Sequence, residues 1–164
     1  MGATAAFDPM SSRADRYDQL ELQCPAVLVD DDAVANQANF VALLHMAFGW
    51  HWVGFYRVEG DELVLGPFQG PVACTRLQKG KGVCAAAWEQ NAAMVVQDVA
   101  SFPGHVACSP LSQSELVLPV RDSDGVVRAV LDIDSVVRGD FDGQDAERLQ
   151  SLIDGVSRAL LGTA

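Results

Sequence analysis

Hydrophobic positions follow two different periods along the chain, and the change falls near residue 50. Before it, apolar residues recur at the i, i+3, i+4, i+7 spacing of an amphipathic helix, at Phe40, Leu43, Leu44 and Ala47. Three aspartates at 30–32 suit the N-terminus of this helix, and Gly49 is a typical stop. A shorter helix is predicted over residues 14–23, ending before Pro25, because proline disfavours helical geometry in the preceding residue.

After residue 50 the alternation has a period of two, which is typical of strands. Strands are predicted over residues 52–58, 62–68, 94–96, 115–121 and 126–135. A short helix is predicted over 82–91, and an amphipathic helix over 142–161. The glycine-punctuated stretch 66–82 and the stretch 100–113 are predicted to be loops, and loops of this length are usually functional in a compact domain.

The order of these elements predicts an α+β fold, with N- and C-terminal helices around a mostly antiparallel central sheet. The chain has 164 residues, enough for a single domain, which we place at residues 14–162. Residues 1–13, rich in Ala, Ser, Asp and Pro, are predicted to be a disordered leader.

The charge balance narrows the range of partners. Eleven Lys and Arg face 22 Asp and Glu, a net charge of −11. Nucleic-acid binding needs a basic surface, and an acidic protein is not attracted to anionic lipid, so we expect neither partner. No apolar stretch approaches the roughly 20 residues that span a bilayer, and the N-terminus lacks the features of a secretory signal. A cytoplasmic location is therefore expected.

Acidic residues share one face of the hairpin formed by the last two strands. Side chains alternate along a strand, so Asp132 and Asp134 project together. The opposite face is apolar: Val127, Ala129, Leu131 and Ile133. If residues 122–125 form the loop, Arg121 pairs with Val126, and Glu115 lies opposite Asp132. Like charges in this position destabilise a sheet, which leaves two alternatives: a solvated surface, or a polar pocket where repulsion raises a pKa and retains a proton.

The chain has four cysteines: Cys24, Cys74, Cys84 and Cys108. Their number and spacing do not suit a disulfide scaffold, and no pair has the CxxC spacing of a structural zinc site. His105 lies three residues before Cys108, a spacing that a metal permits. Carboxylates are unusual partners for a soft thiolate site, however, and we expect neither a metal nor a cofactor.

Redox chemistry is the alternative to metal binding as a hypothesis for the clustered cysteines. One thiolate attacks and becomes a sulfenic acid, and a second thiol captures it as a disulfide. A lowered pKa is expected for Cys84, which lies near a predicted helix N-terminus and two lysines, and His105 is expected to assist Cys108 similarly. Cys24, remote from the others, is interpreted as a small buried hydrophobic residue.

Six short segments carry a resemblance to a known family. They are 51–56 (HWVGFY), 63–74 (LVLGPFQGPVAC), 80–84 (GKGVC), 102–108 (FPGHVAC), 114–119 (SELVLP) and 130–135 (VLDIDS). In this order they resemble the free methionine-(R)-sulfoxide reductases, which are small single-domain GAF proteins. The chain departs from that pattern at Ala85 and Ala86 and over the stretch before residue 50.

The resemblance implies an L-methionine (R)-S-oxide reductase that acts on the free amino acid, without a cofactor. It implies that Cys108 attacks the sulfoxide sulfur and that Cys74 or Cys84 resolves the sulfenic acid as a disulfide. Thioredoxin or a similar dithiol then reduces that disulfide. A homodimer is also implied.

The same resemblance assigns the substrate-binding residues. Trp52 is implied as an aromatic wall against the methyl group of the substrate. Glu115, Asp132 and Asp134 are implied as the acidic cluster that polarises or protonates the sulfoxide oxygen and helps to hold the ligand. Protonation suits the chemistry, because oxygen leaves sulfur more easily once it carries a proton.

Two other functions compete with this one. A non-catalytic GAF module would bind a small ligand and report on it, but such sensors are normally joined to an output domain, which we do not expect here. A metal-binding structural domain is disfavoured by the cysteine spacing.

Overall fold

In the computed structural model, which describes residues 5–162, the chain forms four α-helices and six strands. The helices are α1 (Arg13–Val27), α2 (Ala33–Phe48), α3 (Gly82–Gln90) and α4 (Gly143–Leu161). The strands are β1 (Trp52–Glu59), β2 (Glu62–Gln69), β3 (Arg76–Gln78), β4 (Met94–Val96), β5 (Ser114–Arg121) and β6 (Val127–Ser135). None of the helices within residues 5–162 is long and apolar enough to cross a membrane.

The strands form one sheet in the order β3-β2-β1-β6-β5-β4, and each neighbouring pair is antiparallel. The predicted α+β class is therefore confirmed. On one face of the sheet, α1, α2 and α4 cover apolar residues such as Phe55, Leu118 and Leu131. On the other face, α3 and the long loops cover a second apolar cluster that includes Tyr56 and Val130. The candidate functional residues lie on this second face.

Helix α2 begins and ends where the sequence predicts. Asp32 caps it by accepting a hydrogen bond from the Ala35 amide, and Gly49 ends it in the left-handed conformation at φ 64°. Helix α1 differs from its prediction, because it continues through Pro25 to Val27. Pro25 lies in the last turn, and the helix is held there by the burial of Cys24 in the core.

Residues 5–12 also differ from the predicted disordered leader, of which residues 1–4 lie outside the described part. Ala6 and Gln23 exchange two hydrogen bonds of 3.0 Å, and Phe7 packs against the helix layer. Ser12 then caps α1. Tertiary contacts thus order a segment whose composition alone suggests disorder.

The register of the β5–β6 hairpin corrects one predicted pairing. Arg121 pairs with Val127, and a bulge at Arg128 follows, so that Glu115 lies opposite Asp134 and not opposite Asp132. The pairing differs from the prediction by one residue at Arg121 and by one more at the bulge, so Glu115 is displaced by two residues in total. Because side chains alternate with a period of two, this displacement leaves the three carboxyl groups on the same face. The bulge moves Val127, predicted to face with Ala129, into the second apolar cluster.

Strand β3 forms within a stretch that the sequence predicts as loop. Leu77 is buried opposite Leu63 of β2, while Arg76 and Gln78 on either side are exposed. Three residues are too few to show a period, which explains why the alternation did not reveal this edge strand.

Candidate active site

A pocket opens on the second face of the sheet, between strands β1, β5 and β6 and the loops that cover them. Its floor carries the carboxyl groups of Glu115, Asp132 and Asp134. Trp52 lines one side, and Cys108 lines another. The structure thus brings together residues that the sequence predicts as parts of one site, although they are up to 82 positions apart.

The three carboxyl groups have raised pKa values because they are buried close to one another. Glu115 is 5% exposed and Asp132 is 7% exposed. Burial, reinforced by the charge of Asp134, raises the pKa of both well above the usual range. Burial also raises the pKa of Asp134 to about 6, although a hydrogen bond with Ser112 and the charge of His105 oppose this shift. Of the two alternatives for this face, the polar pocket is the one observed.

His105 contacts this acidic group. Its Nε2 lies 3.2 Å from Glu115 Oε2, within hydrogen-bonding distance. The loop that carries Cys108 is therefore joined to strand β5.

The cysteines fall into three environments. Cys74 and Cys108 form a disulfide, with their Cα atoms 5.5 Å apart. Cys84 is a buried free thiol in the first turn of α3, close to the carboxyl groups of Glu115 and Asp132. Cys24 is buried in the helix layer, as predicted.

The expected low pKa of Cys84 is wrong. Burial raises the pKa of this thiol well above its usual value, and the charges of Asp132 and Glu115 act in the same direction. The helix N-terminus and nearby lysines do not outweigh these effects. Lys79 lies over the Trp88 ring, 5.1 Å from its centroid, and is not directed to the thiol.

Trp52 is held rigidly as a wall of the pocket. Its ring stacks on Phe68, with centroids 5.4 Å apart, and its Nε1 donates a hydrogen bond to the Pro71 carbonyl. Gly54 permits this arrangement, because a Cβ there would lie 2.5 Å from the Trp52 ring. Tyr56, next on the same face, donates a hydrogen bond of 2.9 Å to the carbonyl of Cys74.

Comparison with known proteins identifies the family. A GAF-domain family model matches residues 32–161. The free methionine-R-sulfoxide reductase of Escherichia coli is 43% identical over 131 residues, which cover 79% of each chain. The crystal structure of the free methionine-R-sulfoxide reductase of Neisseria meningitidis, in complex with its substrate, has 45% identity and a TM-score of 0.90 over 96% of each chain. The chain belongs to the free methionine-R-sulfoxide reductase family of GAF-domain proteins.

The likeness extends to proteins without an activity in their names. GAF domain-containing protein A of Dictyostelium discoideum is 45% identical over 144 residues, which cover 87% of this chain and 90% of that protein. The match spans most of both proteins. The family match and the observed sheet together confirm the α+β GAF fold expected from the sequence.

Three hydroxyl-bearing residues that line the pocket were missing from the sequence prediction: Tyr56, Ser109 and Ser112. Tyr56 could have been found, because it follows Trp52 and Gly54 at a period of two. The two serines lie in the stretch predicted as loop, where no periodicity indicates the direction of a side chain.

One set of metal-ligating side chains lies close together within residues 5–162 of this reductase-family chain. Cys84, Glu115 and Asp132 each offer a ligand atom, and these atoms all lie within 4.8 Å of one another.

Proposed function

We propose that this chain reduces free methionine-(R)-sulfoxide to methionine, with Cys108 as the attacking thiolate and Cys74 as the resolving thiol. The overall activity rests on membership of the reductase family. The assignment of the two cysteines rests on one observation: Cys108 lines the carboxylate pocket and forms a disulfide with Cys74. Cys84 is a weaker candidate than Cys74 for the thiol that resolves the sulfenic acid, because Cys84 is buried as a free thiol.

In the first step, the Cys108 thiolate attacks the sulfoxide sulfur. The sulfoxide oxygen takes a proton from a carboxyl group of the pocket floor and passes to Cys108, which becomes a sulfenic acid. The substrate sulfur gains two electrons and leaves as the thioether of methionine. Glu115 and Asp132 suit the role of proton donor, because burial raises their pKa values well above the usual range and so favours the protonated form.

In the second step, the Cys74 thiol attacks the sulfenic sulfur, so that a disulfide forms and water is released. We further propose that thioredoxin or a similar dithiol reduces this disulfide and is itself oxidised. Both disulfide cysteines are partly exposed and can be reached by such a partner. A homodimer and a cytoplasmic location belong to the same proposal.

Two other side chains hold the substrate in this scheme. Trp52 contacts the methyl group beside the sulfur, an arrangement in which a sulfur atom and an aromatic ring attract each other. Asp134, with a pKa of about 6, is mostly ionised at neutral pH and can hold the ammonium group of the free amino acid.

The test is to measure methionine released from each sulfoxide epimer with dithiothreitol as reductant. The unaltered chain should turn over the (R) epimer only. Cys108→Ser should release no methionine, whereas Cys24→Ser, at a buried site away from the pocket, should match the unaltered chain. Unchanged turnover in Cys108→Ser would show that another residue attacks.

A single-turnover measurement separates the resolving thiol from the attacking one. Without reductant, reduced Cys74→Ser should release about one methionine per chain and should then carry a sulfenic acid that dimedone labels. The reduced Cys84→Ser chain should instead form the Cys74–Cys108 disulfide. Binding of the sulfoxide without release of methionine by any form would favour the sensor function over the enzyme.

A further inference from the structure

Three side chains of different chemistry meet at the floor of the pocket. The Cys84 thiol comes from α3, the Glu115 carboxyl group from β5 and the Asp132 carboxyl group from β6. All three residues are buried, and every pair of their ligand atoms lies within 4.8 Å. Glu115 and Asp132 also line the open pocket, so that a small solute can reach them.

A second observation points to a ligand at this place. Asp132 Oδ1 is buried and accepts no hydrogen bond from an N–H or hydroxyl group of the described residues. A buried polar atom without a partner is unfavourable. A cation that contacts this oxygen would remove the penalty.

The donor set selects the class of cation. The mixture of one thiolate sulfur and two carboxylate oxygens is unusual, but Zn²⁺ binds both kinds of ligand, whereas Mg²⁺ and Ca²⁺ prefer oxygen ligands only. His105 Nε2, at 3.2 Å from Glu115 Oε2, adds a nitrogen donor at the edge of the group. Bond lengths of about 2.0–2.3 Å place tetrahedral ligand atoms roughly 3.3–3.8 Å apart, so each of the three side chains needs to move inward by at most about 1 Å.

We propose that Cys84, Glu115 and Asp132 form a Zn²⁺ site that blocks the substrate pocket when it is occupied. On binding, the Cys84 thiol and any protonated carboxyl group among Glu115 and Asp132 release their protons to solvent. The sulfur and the carboxylate oxygens then bond to the metal, with no change of oxidation state. The metal takes up the two carboxyl groups that hold the sulfoxide oxygen in the proposed function. Zinc and free methionine-(R)-sulfoxide therefore compete, and this second part rests on the proposed function.

The site does not depend on the redox state of the other pair. Cys74 and Cys108 are joined in the disulfide, and Cys84 remains a thiol beside the carboxyl groups. The sequence alone predicted no metal, because no pair of cysteines has CxxC spacing and carboxylates are unusual partners for a thiolate. Its partners are 31 and 48 positions away, on strands that the fold brings beneath α3.

The experiment uses the oxidised protein, in which the disulfide removes Cys74 and Cys108 as metal ligands. Zn²⁺ affinity and stoichiometry are measured in competition with a chromogenic chelator. We expect one Zn²⁺ per chain. Cys84→Ala and Asp132→Asn should each weaken binding by about tenfold or more, whereas Cys24→Ala, the matched control, should bind as the unaltered chain does.

Co²⁺ gives a second readout that does not depend on affinity. A thiolate-to-cobalt charge-transfer band should appear in the oxidised chain and in Cys24→Ala, and it should be absent from Cys84→Ala. Circular dichroism of each variant verifies the fold. The more conservative Cys84→Ser replaces Cys84→Ala if that variant does not fold.

The outcomes separate the metal site from the proposed function. Equal zinc affinity in Cys84→Ala, or no zinc bound by the oxidised chain, overturns the site whether or not the chain is a reductase. Loss of zinc on addition of free methionine-(R)-sulfoxide supports competition. Zinc binding that the sulfoxide does not weaken leaves the site but overturns the blocking role, whereas failure of turnover in zinc-free protein counts against the reductase alone.

Discussion

His105 Nε2 lies 3.2 Å from Glu115 Oε2, so one hydrogen bond joins the loop of Cys108 to the acidic floor of the pocket. Cys108 is three residues further along this loop, and Glu115 is the second residue of β5. In the proposed reaction the thiolate and the acid work on the same sulfoxide group. The contact therefore sets the relative position of the attacking sulfur and the proton donor.

Replacing His105 should lower the rate of the proposed reaction without abolishing it. A hydrogen bond between neutral groups contributes about 0.5–1.5 kcal/mol net, which corresponds to a decrease of roughly 2- to 10-fold in kcat/KM for His105→Ala. His105→Gln keeps a polar group at this distance and should recover part of the loss. Steady-state kinetics over a range of pH measures the effect, and identical pH profiles for His105→Ala and the unaltered chain would contradict a link to the acid.

The stability of the chain should depend on the ionisation of Asp134. Burial raises the pKa of this group from 3.8 to about 6, so the folded chain binds the proton more tightly than the unfolded chain does. The contribution to stability is complete below the unfolded pKa and is lost as the pH rises through about 6. The difference between the pKa of Asp134 in the unfolded and folded chain corresponds to up to about 3 kcal/mol of stability.

Urea unfolding of Asp134→Asn, in comparison with the unaltered chain, measures this dependence. Asn cannot ionise, so the variant should gain stability relative to the unaltered chain as the pH rises from about 4 to about 7. Asp31→Asn, at an exposed carboxylate, is the matched control and should show no such gain. Parallel pH curves for Asp134→Asn and the unaltered chain would falsify the assignment.

The faces of the strands could be predicted from the sequence because alternation is a local property. Asp132 and Asp134 are two positions apart in β6, and any extended segment turns them to the same side. The pairing of Glu115 could not be predicted in the same way. It depends on the bulge at Arg128, whose Nε donates a hydrogen bond of 2.6 Å to Asp122 in the loop, and no hydrophobic pattern shows such a contact.

The environment of Cys84 also shows that the sequence predicts local features better than tertiary ones. Its place at the start of α3 is local, and the sequence predicted it. Its burial beneath the carboxyl groups is a tertiary effect, and it reverses the direction of the pKa shift that the helix end alone suggests. The stretch 100–113 was predicted to be a functional loop, but the directions of its side chains His105, Ser109 and Ser112 required the folded chain.

A double-mutant cycle should detect a second contact that holds the Cys108 loop. His51 Nε2 lies 3.0 Å from the hydroxyl oxygen of Ser109, the residue after Cys108. If this hydrogen bond positions the loop, His51→Ala and Ser109→Ala should each slow disulfide formation after a single turnover. The double variant should be no slower than the slower single variant, with a coupling energy of about 1 kcal/mol. Fully additive effects would mean that the two side chains act independently.

Adding one methyl group at Gly54 should disturb the aromatic wall. A Cβ there would lie 2.5 Å from both the Trp52 ring and Phe68 Cβ, a distance that forces the stacked rings apart. We expect Gly54→Ala to lower the free energy of unfolding by about 1–3 kcal/mol, as overpacking does, and to raise KM for the sulfoxide because Trp52 is displaced.

Gly155→Ala is the matched substitution for Gly54→Ala, since a Cβ at this exposed position of α4 meets nothing within 4 Å. It should stabilise the chain by up to about 1 kcal/mol through helix propensity and should leave KM unchanged. Thermal unfolding and steady-state kinetics on the two variants give the comparison. A Gly54→Ala chain as stable as Gly155→Ala, with an unaltered KM, would mean that Trp52 can move without consequence and is not a fixed wall of the site.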